Sequence, residues 1–270
     1  MISTPGHHLR SPRDPPPPRV ILLGASNLTK AISTVVASAC GLWGRPLDVL
    51  AALGHGRSYG VRHTFLGREL PPILRCGLWR TLEQRPPTPT AALLTDIGND
   101  LLYEVPIPEI AGWVERCVER LQQAQARVVM TMLPVCNIEA VSPAQYSLMR
   151  CLWFPRCRLR FRDVVDRALD LDQRLRDLGR RRNLVLAEQR PEWYGFDPFH
   201  IQMRHWSRAW PEILSAWSAR PAAPGAPPPS LWRWLRLRSL APERRRLFGV
   251  EQRRAQPAGL LPDGTTVALY

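Results

Sequence analysis

The residues able to do covalent chemistry fall into a few short clusters. Ser26 lies in Gly24-Ala25-Ser26-Asn27, directly after an apolar run, and Asp197-Pro198-Phe199-His200 sets a carboxylate and an imidazole three residues apart. A serine hydroxyl is a weak nucleophile until an imidazole takes its proton. The imidazole in turn needs a carboxylate on its other nitrogen to fix the tautomer and stabilise the imidazolium. Attack on a carbonyl also builds negative charge on its oxygen, which calls for preorganised N–H donors. The Ser26 N–H, an N–H in the turn Gly54-His55-Gly56-Arg57-Ser58, and the side-chain amide of Asn99 in Gly98-Asn99-Asp100 are the candidates. A helix starting after Ser26 would add its positive dipole end.

These clusters must be brought together by the elements that carry them. Val20 to Leu23, Leu47 to Leu53, Ala91 to Ile97, Arg127 to Leu133 and Leu184 to Ala187 are apolar runs of strand length. Between and after them lie helical patterns: Asn27 to Cys40 with Ser26 or Asn27 as cap, Val61 to Glu83 interrupted at Pro71-Pro72, Pro106 to Ala126, Phe161 to Arg182, and a last helix from Met203 to Ala219. Alternation of this kind calls for a parallel sheet covered on both faces, here a flavodoxin-like three-layer α/β/α sandwich with a five-stranded parallel sheet. Ligands of such sheets bind outside the carboxyl ends of the strands. Ser26, the glycine turn, Asn99 and the Asp197/His200 pair each follow a different strand at that end.

In order and spacing, Gly24-Ala25-Ser26-Asn27, Gly56 in its glycine turn, Gly98-Asn99-Asp100 and Asp197-Pro198-Phe199-His200 resemble the four blocks of the SGNH/GDSL hydrolase superfamily. The resemblance spans Arg19 to about Ala219. It implies a metal-free and cofactor-free Ser-His-Asp esterase or acylhydrolase, O-deacetylases included, acting through an acyl-serine intermediate on a small-molecule, lipid or carbohydrate ester. Under it, Ser26 is the nucleophile and a first oxyanion donor, Gly56 the second donor, Asn99 the third, and Asp197 and His200 complete the triad. The sequence departs from the pattern at Ala25, where relatives carry aspartate, and at Ile201, where they often carry proline. Gly54 competes with Gly56, which is preferred for its spacing after the strand. An acyltransferase would use the same triad, and a non-catalytic scaffold of the same fold is the contrasting reading.

The other residues place weaker bounds. Arg57 flanks the proposed oxyanion glycine, and Trp153 and Phe154 lie in a long insertion from Pro134 to Arg160 that reads either as a cap or as a packed surface segment; all three are candidates for substrate contact. Asp96 and Asp100 read as structural residues of their turns. Six cysteines without a C-x-x-C pair and histidines without ligand spacing give no metal site. The formal charge of +14 rests on arginine, since Lys30 is the only lysine. Nucleic-acid binding is not expected from charge alone.

The chain divides into a Pro-rich leader (1–18), a hydrolase-like domain (19–219) and a Pro/Arg-rich tail (220–270). The tail has nine arginines against three acids and contains Leu231-Trp232-Arg233-Trp234-Leu235-Arg236-Leu237-Arg238. Interleaved aromatic and cationic residues suit the surface of an anionic membrane, the one peripheral contact the sequence suggests. The leader has no apolar stretch of signal-peptide type, so a cytoplasmic monomer is the expectation.

Overall fold

The computed structural model describes residues 15–217 and 230–270. In chain order the elements are β1 (Arg19–Leu23), α1 (Ser26–Trp43), β2 (Asp48–Ala52), β3 (Thr64–Phe65), β4 (Arg68–Glu69), α2 (Leu78–Gln84), β5 (Thr90–Leu94), α3 (Asn99–Leu102) and α4 (Ile107–Gln123). There follow β6 (Arg127–Thr131), α5 (Val135–Glu139), α6 (Pro143–Trp153), α7 (Phe161–Arg182), β7 (Val185–Ala187), α8 (Trp206–Ser215), α9 (Leu231–Ser239), β8 (Arg244–Leu247), β9 (Val250–Arg253), β10 (Gly259–Leu260) and β11 (Thr266–Leu269).

The main sheet has the order β10-β11-β2-β1-β5-β6-β7. Every neighbouring pair is parallel except β10 with β11. Both faces are covered, which is why its strands are continuous apolar runs rather than alternating ones. Ile21, Leu23, Leu50, Ala92 and Leu94 point into one core with α2, α4 and α7. Val20, Leu22, Val49, Ala91 and Leu93 point into the other with α1, α8 and α9. Each aliphatic side chain fully removed from water in this way contributes about 1.5–3 kcal/mol. The chain leaves β1 for β2 on one side and returns to β5 on the other, so the loops after β1 and β5 diverge and open a crevice at the carboxyl edge.

Three expectations need correction. The sheet has seven strands, the five expected ones plus β10 and β11. Residues 230–270 therefore do not lie beyond a domain that ends at 219: β11 pairs in parallel with β2, from Thr266 beside Asp48 to Leu269 beside Ala51. The physical reason lies in β2, which is buried along its whole length and needs a partner on its outer edge. The helical reading of Val61 to Glu83 holds only for α2; the residues before it make the β3–β4 hairpin, turning through Leu66 and Gly67, both at positive φ. This hairpin joins β8 and β9 in a second sheet of order β3-β4-β8-β9. The leader residues 1–14 and the linker 218–229 lie outside the described residues; Pro17 and Pro18 are tied down, their carbonyls accepting from Thr88 and Asp48.

The long insertion folds as α5 and α6, with Tyr146 and Met149 in a small core of their own against Leu102 and Val164. No helix among the described residues is long and apolar enough to cross a membrane.

Candidate active site

Ser26 is the first residue of α1, at the carboxyl end of the fully buried β1. No side chain of its own segment caps the helix, contrary to the expectation for Ser26 or Asn27; the N-cap is Ala25. The capping group is Asp96, from the loop after β5. Its carboxylate accepts the Ala25 N–H at 2.7 Å, the Leu28 N–H at 3.3 Å and the Asn27 side-chain amide at 2.8 Å. A carboxylate at a helix N-terminus satisfies the free N–H groups and suits the dipole. Asp96 holds a left-handed conformation, φ 59°. Gly24 lets the two strand ends approach: a Cβ there would lie 2.6 Å from Thr95 Cγ2.

Asn27 extends this network to the last loop. Its Nδ2 also donates to the Phe199 carbonyl at 2.8 Å, and its Oδ1 accepts the Ile201 N–H at 2.8 Å. Both backbone groups flanking His200 are thereby fixed to the residue after Ser26. His200 Nε2 lies 2.8 Å from Ser26 Oγ, and Nδ1 lies 2.5 Å from Asp197 Oδ2. Asp197 Oδ1 accepts the Phe199 N–H at 2.9 Å, which locks the carboxylate's orientation. The three side chains form a Ser-His-Asp triad. With Nδ1–H donating to the carboxylate, Nε2 presents its lone pair to the serine hydroxyl.

Electrostatics hold the Asp197 carboxylate in its charged form. Burial pushes the Asp197 carboxyl up, but the His200 hydrogen bond and charge, the Phe199 N–H and Lys30 together hold it below its usual value. Lys30, one turn along α1, lines the same cavity; burial lowers its ammonium, against the pull of Asp197 and Asp96. His55 is lowered to about 4 by burial and by Lys30 and Arg238, so it stands neutral beside the triad at pH 7. Asp100 is buried and raised to about 6, chiefly by desolvation.

A cavity of about 280 Å³ opens over the triad, lined by Ser26, Gly56, Asn99 and His200 together with Ile97, Leu101, Met132, Leu133 and Phe199. Trp153 and Phe154 form part of its wall. Gly56, and not Gly54, borders it, with φ 63° and its carbonyl held by the Tyr103 hydroxyl at 2.7 Å. The Asn99 amide lies 3.5 Å from the Arg57 carbonyl, linking the glycine turn to the loop after β5.

Arg57 itself does not reach the cavity, which corrects its assignment to substrate contact. Its guanidinium is buried on the far side of the turn and donates to the Pro71, Leu53 and Tyr270 carbonyls, a structural role that joins the glycine turn to the last strand. Asp100 likewise accepts from the Tyr59 N–H at 3.0 Å and so braces the glycine turn rather than its own. The positioning roles of Asn27 and Asp96 were not legible as such. Their only sequence signals are adjacency to Ser26 and a place at a strand's end.

No protein-family model matches the chain, and no curated protein does. Among solved structures the chain is similar to a psychrotrophic esterase from Pseudoalteromonas sp., at 14% identity over 73% of this chain and 95% of that one, with a TM-score of 0.46. It is similar to an aryl esterase of M. smegmatis at 13% identity, over 73% and 96% of the two chains, with a TM-score of 0.49. A member of the lipolytic G-D-S-L family from Veillonella parvula gives 9% identity, 73% and 96% coverage and a TM-score of 0.44.

Proposed function

We propose that the protein is a serine hydrolase that cleaves carboxylic esters through an acyl-Ser26 intermediate. The observation that carries this reading is the unbroken relay from Ser26 Oγ through His200 to Asp197 at the floor of an apolar cavity. Ser26 Oγ attacks the ester carbon while its proton passes to His200 Nε2, and Asp197 stabilises the resulting imidazolium. The oxyanion takes hydrogen bonds from the Ser26 and Gly56 N–H groups and the Asn99 amide. Collapse breaks the C–O bond to the alcohol, which leaves with the proton from Nε2. Water, deprotonated by the same nitrogen, then attacks the acyl-enzyme and restores Ser26.

The mainly apolar walls support an ester whose acyl part is a short to medium aliphatic or aromatic group, with Trp153 and Phe154 contacting it. A scaffold without activity has no use for a relay in hydrogen-bond register, so the catalytic reading is favoured. The test is hydrolysis of p-nitrophenyl esters from acetyl to long acyl. Turnover should be measurable for one part of the series and should fall by at least about 10³-fold in Ser26→Ala, the order expected for loss of a triad member. Equal rates for the wild type and Ser26→Ala across the series would rule the reading out.

A further inference from the structure

The mouth of the cavity is bordered by apolar side chains that stand exposed among the described residues. Leu66, at the tip of the β3–β4 hairpin, is 83% exposed, and Phe248, at the tip of the β8–β9 hairpin, is 85% exposed. The two tips adjoin, since the Phe248 N–H donates to the Gly67 carbonyl and its ring lies over Gly67. Across the opening, α6 exposes Leu148 at 53% and Leu152 at 65%, one turn apart on one face, followed by Trp153 at 43%. Leu66 and Trp153 line both the catalytic cavity and an adjoining pocket of about 640 Å³, so the two apolar edges face each other over a continuous opening.

Exposed apolar tips of this size cost solubility unless something covers them. Two cations lie beside the Trp153 edge. Arg156 and Arg158 line the second pocket next to Trp153, and neither makes an ion pair with a described residue. The acid in that pocket, Glu104, accepts the Arg158 N–H. The whole chain carries a formal +14. Apolar and aromatic residues flanked by arginine match the boundary between acyl chains and anionic headgroups.

On the reading of the site as an ester hydrolase, we propose that this rim docks on an anionic lipid surface. Leu148, Leu152 and Trp153 on one side and Leu66 and Phe248 on the other enter the headgroup layer, and the cavity opens onto acyl esters resident there. The proposal places docking at this rim rather than on α9, which packs Leu237 against α1 and leaves Leu231, Trp232 and Leu235 exposed away from the cavity lining.

The full chain carrying Ser26→Ala should sediment with vesicles of phosphatidylcholine mixed with phosphatidylglycerol, less as salt is added, and not with phosphatidylcholine alone. Because this protein is inactive by design, the result is independent of whether catalysis is read correctly. Adding Leu148→Ser with Phe248→Ser should weaken binding about tenfold, as partial loss of two apolar insertions does. In the Ser26 protein the same pair should leave hydrolysis of a short soluble p-nitrophenyl ester unchanged. Arg156→Gln with Arg158→Gln should weaken binding without touching the apolar edges, a second route if the first pair unfolds the chain. Absence of sedimentation, equal sedimentation with phosphatidylcholine alone, or loss only on Trp232→Ser with Leu235→Ser would overturn the proposal.

Discussion

Every polar atom of the Asn27 side chain is committed: the amide donates to Asp96 and Phe199, and the oxygen accepts from Ile201. The residue touches no reacting atom, yet it fixes the backbone on both sides of His200. Asn27→Ala leaves buried backbone groups unpartnered, which costs about 1–3 kcal/mol of stability. It also frees the imidazole to drift, so kcat should fall about 10–100-fold with KM nearly unchanged, since small misplacements of a base are costly. Steady-state kinetics alongside a thermal melt separate the two effects. Asp197→Asn should cost more, roughly 10⁴-fold in kcat, because the amide supports the wrong tautomer. The lowered Asp197 carboxyl stays charged through the ordinary carboxylate range, so its protonation does not limit activity near neutral pH. Ser26, Asp197 and His200 could be picked from the sequence because hydroxyl, imidazole and carboxylate are chemically distinctive. Asn27 and Asp96 could not, because their significance is purely spatial, across about seventy residues between them and well over a hundred to the last loop.

The elements hold the proposed donors by two braces that differ in what they tolerate. Gly56 sits at positive φ with Phe65 and the Tyr103 hydroxyl about 3.0 Å from any added Cβ. Gly56→Ala should therefore cost about 1 kcal/mol or more in stability and displace the proposed second donor, seen as a lower kcat and slower phosphonylation, with Ser26 still the residue labelled. The other brace is Asp100 to Tyr59, between α3 and the segment after β2. The folded pKa of Asp100, about 6, lies above its unfolded value, so the folded state binds the extra proton between about pH 4 and 6. Its stabilising contribution is complete below the unfolded pKa and is lost as pH rises through 6, by about 2–3 kcal/mol at most. Denaturant titration should show the wild type losing that much relative to Asp100→Asn over this window, and no further difference above it. The strands were legible because burial on both faces leaves unbroken apolar runs. The β3–β4 hairpin was not, since two-residue strands carry no periodicity and are held by β8, remote in sequence.

At the scale of the whole molecule, the last residues complete the first unit of the fold. β11 covers the outer edge of β2, Thr265 accepts the Leu47 N–H, and the Tyr270 carbonyl receives the buried Arg57. Composition concealed this, because the Pro- and Arg-rich stretch before it looks like a tail, and a four-residue strand is too short to announce itself. Ending the chain at Arg220 should expose the edge of β2 and strand the Arg57 guanidinium. The shortened chain should lose the cooperative thermal transition or aggregate, which circular dichroism and size-exclusion chromatography would reveal.

The relay itself is open to a single direct measurement, mass-spectrometric mapping of the adduct left by a fluorophosphonate on the folded protein. One phosphonyl group on Ser26, absent in Ser26→Ala and formed at least about a hundredfold more slowly in His200→Ala, is the predicted result. Adduct formation at another residue, or at Ser26 with equal speed when His200 is removed, would contradict the account.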